Sequence, residues 1–395
     1  QRYWKNRWWH VTGNLLCSRV EGTTEAISIT QKRFEHYFQR PEAPHVELDQ
    51  TRTSLTGTSG TIKFGKFGGK PDKLGGIFKF QTGNTWRSPQ FEINDIGFMQ
   101  SADEINHFTW AGYHIQQPFS VFRNFRFNYN HWYKWDFSGR HLFTLFNINA
   151  HAFFKNNWSV GGGMYLNPHD ISNNALRGGS PLRRPNGYGG FAYVESDGRK
   201  KVVFSGNANL FTGYHNEVWS GDMSAGVSVQ ATDALRFAVY PGYSQSWRRQ
   251  DQFVATVFRD NQRRTVVSQV NQESFSLTGR LTYNLTPNLT IQYYGQPFIF
   301  RAKYDHYGVV TQPLAREYDA RFHRFSSQEM LSETNGNFSI DEDGDGRADY
   351  AFSKPDFNFI QFRSNLVFRW EYVPGSEFYL VWSQNAVPNA YGDLD

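Results

Sequence analysis

Residues 275–285 read Phe275-Ser276-Leu277-Thr278-Gly279-Arg280-Leu281-Thr282-Tyr283-Asn284-Leu285. Odd positions are apolar or glycine and even positions are polar. A period of two is the side-chain period of a β-strand with one apolar and one polar face. After Thr286-Pro287 the alternation resumes, with Leu289, Ile291 and Tyr293 against Asn288, Thr290, Gln292 and Gln296. It recurs upstream. Val202, Phe204, Gly206, Ala208 and Leu210 alternate with Lys201, Ser205, Asn207 and Asn209. Phe146, Ile148, Ala150 and Ala152 alternate with Asn147, Asn149 and His151. Near the end, Ile360, Phe362, Leu366, Phe368, Trp370 and Tyr372 alternate with Gln361, Arg363, Asn365, Arg369 and Glu371.

Such segments run about 10–16 residues, against about 5–6 for a strand of a soluble domain and about 9–11 for a membrane-crossing strand. Fifteen are legible, near 7–18, 52–66, 75–87, 106–117, 121–135, 141–154, 158–167, 187–196, 200–212, 218–231, 235–248, 269–285, 288–302, 358–373 and 376–386. The connections alternate in length. Short turns near 67–74, 118–120, 155–157, 197–199, 232–234, 286–287 and 374–375 alternate with longer links at 19–51, 88–105, 136–140, 168–186, 213–217, 249–268 and 303–357. Outer-membrane barrels pair short periplasmic turns with long extracellular loops. The sequence therefore predicts an all-β chain, a transmembrane antiparallel up-and-down β-barrel filling residues 1–395 as one domain. Bacterial barrels use even strand numbers, so about sixteen strands are expected, with the closing strand beyond Asp395. Residues 24–37 are expected to form a short helix in the first long loop. Trp4, Trp8, Trp9, Trp132, Trp135, Trp158 and Trp382 fall mostly near strand ends, where aromatic girdles sit.

Composition agrees. Aromatic residues make up 17% of the 395 residues and charged residues 19%, while mean hydropathy is −0.63. The aromatic content excludes a disordered chain. The lack of a long apolar run excludes a helical membrane protein, and the single Cys17 excludes a disulfide scaffold. The net charge of +5 is spread over scattered doublets, Arg183-Arg184, Arg248-Arg249 and Arg263-Arg264, and nucleic acid is not an expected partner.

Several stretches carry a family resemblance. They are His36-Tyr37-Phe38-Gln39-Arg40-Pro41, Thr51-Arg52-Thr53-Ser54-Leu55, residues 86–105 from Trp86 to Ile105, Ala175-Leu176-Arg177-Gly178-Gly179 with Pro181, Ser196-Asp197-Gly198-Arg199-Lys200-Lys201, and residues 362–384 from Phe362 to Gln384. Together they resemble the carboxy-terminal barrel of a bacterial outer-membrane family, common in Bacteroidota-like bacteria, whose amino-terminal module resembles family-9 carbohydrate-binding domains. The resemblance implies that residues 1–395 hold the barrel and are expected to lack that module. The resemblance implies the outer membrane, with the lipid bilayer, lipopolysaccharide and other outer-membrane proteins as partners, and supplies no mechanism.

The sharpest local motif is Asp341-Glu342-Asp343-Gly344-Asp345-Gly346-Arg347-Ala348-Asp349. Acids at positions 1, 3, 5 and 9, glycine at 6 and the Arg347 carbonyl at 7 match the first part of a calcium loop. Position 12 is Phe352, and Asp356 is a candidate substitute for the missing acid. The alternatives are a structural Ca²⁺ and a solvated acidic turn. Residues 177–184 form a basic, glycine-rich loop with no following helix to make a phosphate site, so a loop folded into the barrel mouth is expected. Glu92, Asp95, Asp103 and Glu104 read as caps and loop hydrogen bonds rather than a glycosidase pair. The histidines show no helical metal pair and no nucleophile elbow follows from the serines, so no enzyme is expected. Arg126, Lys134, Lys201, Arg236, Arg280, Arg363, Arg369 and Glu371 are expected to line the lumen. An open lumen would favour anions or polar solutes, whereas a closed one would pair these charges with a plug. Three functions follow as expectations: transport or binding of polar solutes, oligosaccharides among them; a scaffold barrel in a larger assembly; and a surface hydrolase.

Overall fold

A computed structural model describes residues 2–4, 7–214, 218–247, 251–334 and 336–387. Fifteen long strands follow one another: β1 (Trp9–Glu21), β2 (Ser54–Lys66), β3 (Gly76–Arg87), β4 (Glu104–Ile115), β5 (Phe122–Trp135), β6 (His141–Phe154), β7 (Ser159–Ser172), β8 (Gly187–Glu195), β9 (Val202–Gly213), β10 (Trp219–Gln230), β11 (Leu235–Trp247), β12 (Gln262–Thr286), β13 (Leu289–Val310), β14 (Phe357–Val373) and β15 (Ser376–Ala386). Each pairs antiparallel with the next, in one continuous meander. A three-residue strand, Arg2–Trp4, adds to the free edge of β1. Among the described residues no ladder joins β15 back to β1, so the sheet stands as a large antiparallel meander. No helix among them is long and apolar enough to cross a membrane.

The register turns the alternation into two faces. Directly opposed residues share a face, and one row runs Ala150, Gly162, Ala192, Ala208, Met223, Tyr243, Phe275, Ile299, Ile360 across nine strands. Residues on this face point away from protein: Leu15 and Met164 are each 66% exposed and Trp382 69%. The adjacent row runs Asn149, Gly163, Phe191, Asn209, Asp222, Ser244, Ser274, Phe300, Phe359 on the opposite, mostly polar face. There amides bridge strands: Asn128 Nδ2 donates to Asn149 Oδ1 at 2.8 Å and Asn130 Nδ2 to Asn147 Oδ1 at 2.9 Å. Such pairs satisfy polar groups that the sheet half buries.

The seven hairpin turns lie at one end and the long connections at the other. The buried apolar clusters sit in and around these long connections. Helix α1 (Thr24–Lys32) begins at Thr23, whose Oγ1 accepts the Ala26 N–H, and it ends five residues before the expected limit. Its Ile27 packs with Phe38, Ala43, Val46 and Leu55. Phe91, Met99 and Ala102 form a second cluster, and Leu176, Leu182, Val267, Tyr318 and Phe322 a third. The Arg177 loop packs against the Asp251–Arg259 strand, its guanidinium 4.7 Å from the centre of the Phe253 ring.

Two expected loops are more ordered than the sequence implied. β12 begins at Gln262 and β13 runs on to Val310, with Asp251–Arg259 pairing along the first part of β12. A small sheet of Met330–Thr334, Asn337–Ile340 and Tyr350–Ser353 packs beside this extension through Phe338, Ile340, Tyr350 and Phe352. The extension carries Val266 and Val267, both fully buried. These two adjacent buried valines, flanked by Arg263, Arg264, Thr265 and Ser268, break the period-two signal here. The tryptophan girdle is also partial. Trp9 and Trp135 cap their strands and Trp158 sits in a turn, whereas Trp382 lies mid-strand and Trp132 lies on the polar face. The side chain of Trp4 and the Arg248-Arg249 doublet fall outside the described residues.

Candidate functional site

Where the long connections meet the polar face they enclose a cavity of about 530 Å³. Its walls come from the loop after α1, the 101–103 segment, the ends of β3 to β7 and the 172–174 turn. Close contact holds the 88–93 loop against β2. A Cβ on Gly57 would lie 2.2 Å from the Phe91 backbone nitrogen, so only glycine admits this crossing.

Charge pairs anchor the loops around this cavity. Asp103, 3% exposed, takes Arg40 Nη2 at 2.6 Å, His45 Nε2 at 2.8 Å and the Phe137 N–H at 3.0 Å. It thereby ties three long connections together. Its φ of 56° is left-handed, a conformation that aspartate tolerates better than most residues. Glu104 pairs with Arg87 and, at 2.9 Å, with Lys134 Nζ. Asp170 Oδ1 accepts from Arg184 Nη2 at 2.9 Å. Buried His36 bridges the Pro89 carbonyl at 2.8 Å and Glu92 Oε2 at 2.9 Å. Burial pushes the Glu92 carboxyl up, but the Asn94 N–H, His36 and the Ile93 N–H outweigh it and hold it below the ordinary glutamate value. Three buried polar atoms on the wall have no partner: Glu35 Oε2, Arg87 Nε and Asn173 Oδ1.

Of the eight charges expected in the lumen, seven lie on the polar face. Lys134 alone reaches this cavity. Arg126 stacks 5.3 Å from the centre of Phe153, Arg280 lies 5.1 Å from that of Tyr294, and Arg236 donates to Ser228 Oγ at 2.9 Å. Arg363 lies opposite Gln296, Arg369 pairs with Glu377, and Glu371 accepts the Gly375 N–H. Lys201 sits in the turn before β9 rather than on a strand. Glu35, Arg40, His45, Arg87, Asp170 and Arg184 were missed as site residues. His36 through Arg40 are consecutive in sequence, but nothing local shows that Arg40 meets Asp103, 63 positions away.

The acidic turn gathers three of its carboxylates. Asp341, Asp343 and Asp345 bring one carboxylate oxygen each within 4.8 Å of one another. Asp341 is buried and accepts the N–H groups of Gly344, Asp345 and Gly346. Burial pushes its carboxyl up, and the Gly346, Gly344 and Asp345 N–H groups outweigh it and hold it below the usual aspartate value. Asp349 and Asp343 pair with Arg259 of the Asp251–Arg259 strand, and Glu342 with Arg264 of β12, so the two strands partly neutralise this turn. The Arg347 N–H donates to Asp345 Oδ1 at 2.8 Å. Asp356 does not complete the set: it accepts the Tyr304 N–H at 2.7 Å and pairs with Lys354.

These features define a large antiparallel β-meander with one apolar and one polar face and a folded loop layer at one end. Over residues 20–392 the chain matches the family described as Domain of unknown function (DUF5916), and it belongs to that family. No curated protein matches it.

Proposed function

We propose that the chain is an outer-membrane β-barrel that binds or passes polar solutes at the bacterial cell surface. The supporting observation is the unbroken apolar row on one face of the sheet, exposed over successive strands, backed by a mostly polar face. Lipid and lipopolysaccharide would cover the first face and water the second. In this reading Arg126, Lys134, Arg236, Arg280, Arg363, Arg369 and Glu371 line the lumen, and a sixteenth strand closes the sheet. The loop layer favours a gated or plugged lumen over a wide-open pore, because the pairs of Arg40 and His45 with Asp103, and of Arg140 with Glu42, tie three long connections together. The resemblance adds a carbohydrate-binding module, a Bacteroidota-like source and other outer-membrane proteins as partners. The acidic turn 341–349 would take a structural Ca²⁺.

The test is reconstitution into liposomes and planar bilayers. The expected result is detergent-dependent solubility, protease resistance of the strands in lipid and discrete conductance steps in potassium chloride. A chain that stays monomeric and folded in buffer without detergent would refute the membrane reading. Insertion without conductance would favour a binding or scaffold role over transport.

A further inference from the structure

The 530 Å³ cavity lies within the range of about 300–1,000 Å³ that takes a small molecule. Its polar inventory constrains the occupant. On one wall Glu104 has both oxygens engaged, by Arg87 and Lys134, which leaves one net positive charge and a free Arg87 Nε donor. On another, Glu35 is 8% exposed, its Oε1 takes Asn94 Nδ2 at 3.0 Å, and its Oε2 has no partner. The Asp103 and Asp170 carboxylates are matched by Arg40 and Arg184. The wall as a whole is therefore close to neutral, and three of its residues carry a buried polar atom without a partner: Glu35 Oε2, Asn173 Oδ1 and Arg87 Nε. Buried polar atoms without partners cost about 1–3 kcal/mol each, so a ligand that satisfies them is favoured.

An anion would meet Glu35, and a cation would meet Arg87 and Lys134. A small dipolar amino acid such as alanine could pair with both ends but would leave the Trp132 and Phe143 residues of the wall uncovered. A hydroxyl group donates and accepts, so a ring carrying several hydroxyls can serve all three orphan atoms, and its apolar C–H face suits an aromatic wall. We propose that this cavity binds a small neutral polyhydroxylated solute, a sugar of one or two rings, through Glu35, Arg87, Asn173 and Trp132. The proposal deepens the solute-binding reading above and rests on it for the source of the solute, while binding itself is measured apart from transport.

The experiment uses the full chain in detergent micelles, titrated calorimetrically with glucose, maltose and, for contrast, alanine. Hydrogen exchange of residues 35–40 and 170–174 is followed at saturation. Binding of glucose or maltose is expected, with slower exchange in both segments. Glu35→Gln and Trp132→Ala should each weaken it at least about tenfold, while the slow-exchanging core amides of β8 to β11 stay protected as a check on folding. Trp132→Phe should restore part of the loss. Three results would overturn the proposal: no heat and no change in exchange with either sugar, sugar binding indifferent to both variants, or alanine binding tighter than both sugars. Salt conductance involves no sugar, so failure of the membrane reading and failure of this site are distinguishable.

Discussion

Replacing Asp103 with asparagine should loosen the loop layer and leave the sheet intact. Asparagine tolerates the left-handed backbone at this position, so the change removes charge with little added strain. The Arg40 side chain is 3% exposed, and Asp103 is its carboxylate partner. Removing one member of a buried pair costs about 3–5 kcal/mol. An asparagine oxygen can still accept one bond, from Arg40 or the Phe137 N–H, which places the expected loss near the lower end, about 3 kcal/mol. At about 1.4 kcal/mol per tenfold, the open population of the layer should rise about 100-fold. Amide exchange in residues 33–46 and 136–140 should accelerate by about that factor, while amides of β8 to β10 keep their protection. Exchange in the two loop segments within threefold of the parent would refute the reasoning. So would equal acceleration in the distant strands, because the pair would then be supporting the sheet rather than the layer.

Leu366→Arg places a charge on the apolar face opposite Tyr293 and Trp382. In lipid it should cost up to about 2–4 kcal/mol by urea titration of vesicle-inserted protein, and an unchanged midpoint would count against lipid contact. Gly57→Ala drives a Cβ into the Phe91 backbone, so proteolysis within residues 88–103 should become several-fold faster without loss of the strands. Asp341 has a folded-state value below its usual 3.8, so its contribution is present above that value and is lost as pH falls through the lower one. Exchange of the Gly344 to Gly346 amides should therefore accelerate only below about pH 4, and Asp341→Asn should abolish that pH step. If calcium occupies this turn, millimolar Ca²⁺ should slow the same amides in the parent and not in Asp343→Asn.

What the sequence showed and hid follows from range. Alternation within a strand is local, and all fifteen long strands were legible from patterns such as Phe275 to Leu285. α1 was legible too, though its end was not. The extension of β12 was hidden because the adjacent Val266 and Val267 are both buried, which puts apolar residues on both faces and breaks the alternation. The cavity was hidden for a different reason. Arg40 and Asp103, Arg87 and Glu104, and Arg184 and Asp170 join segments separated by 63, 17 and 14 positions. No periodicity within a strand connects them: strand pairing sets Arg87 opposite Glu104, and a loop crossing brings Arg40 to Asp103. Asp103 and Glu104 were seen as loop hydrogen-bonding groups, and their cationic partners were not. The acidic turn was legible because its acids lie within nine consecutive residues, whereas its neutralisation by Arg259 and Arg264 required the fold.

The location of the apolar clusters gives the molecule two solvents. The sheet turns its apolar face outward, so its stability belongs jointly to the chain and to whatever bathes that face. The loop layer buries Ile27, Phe38, Leu55, Val266 and Ile340 within the protein, and it carries its own stability wherever the chain is placed. Exchanging one detergent for another should then shift one unfolding event and leave the other in place. A calorimetric scan read as a single transition would average two quantities, one describing the protein and the other its surroundings.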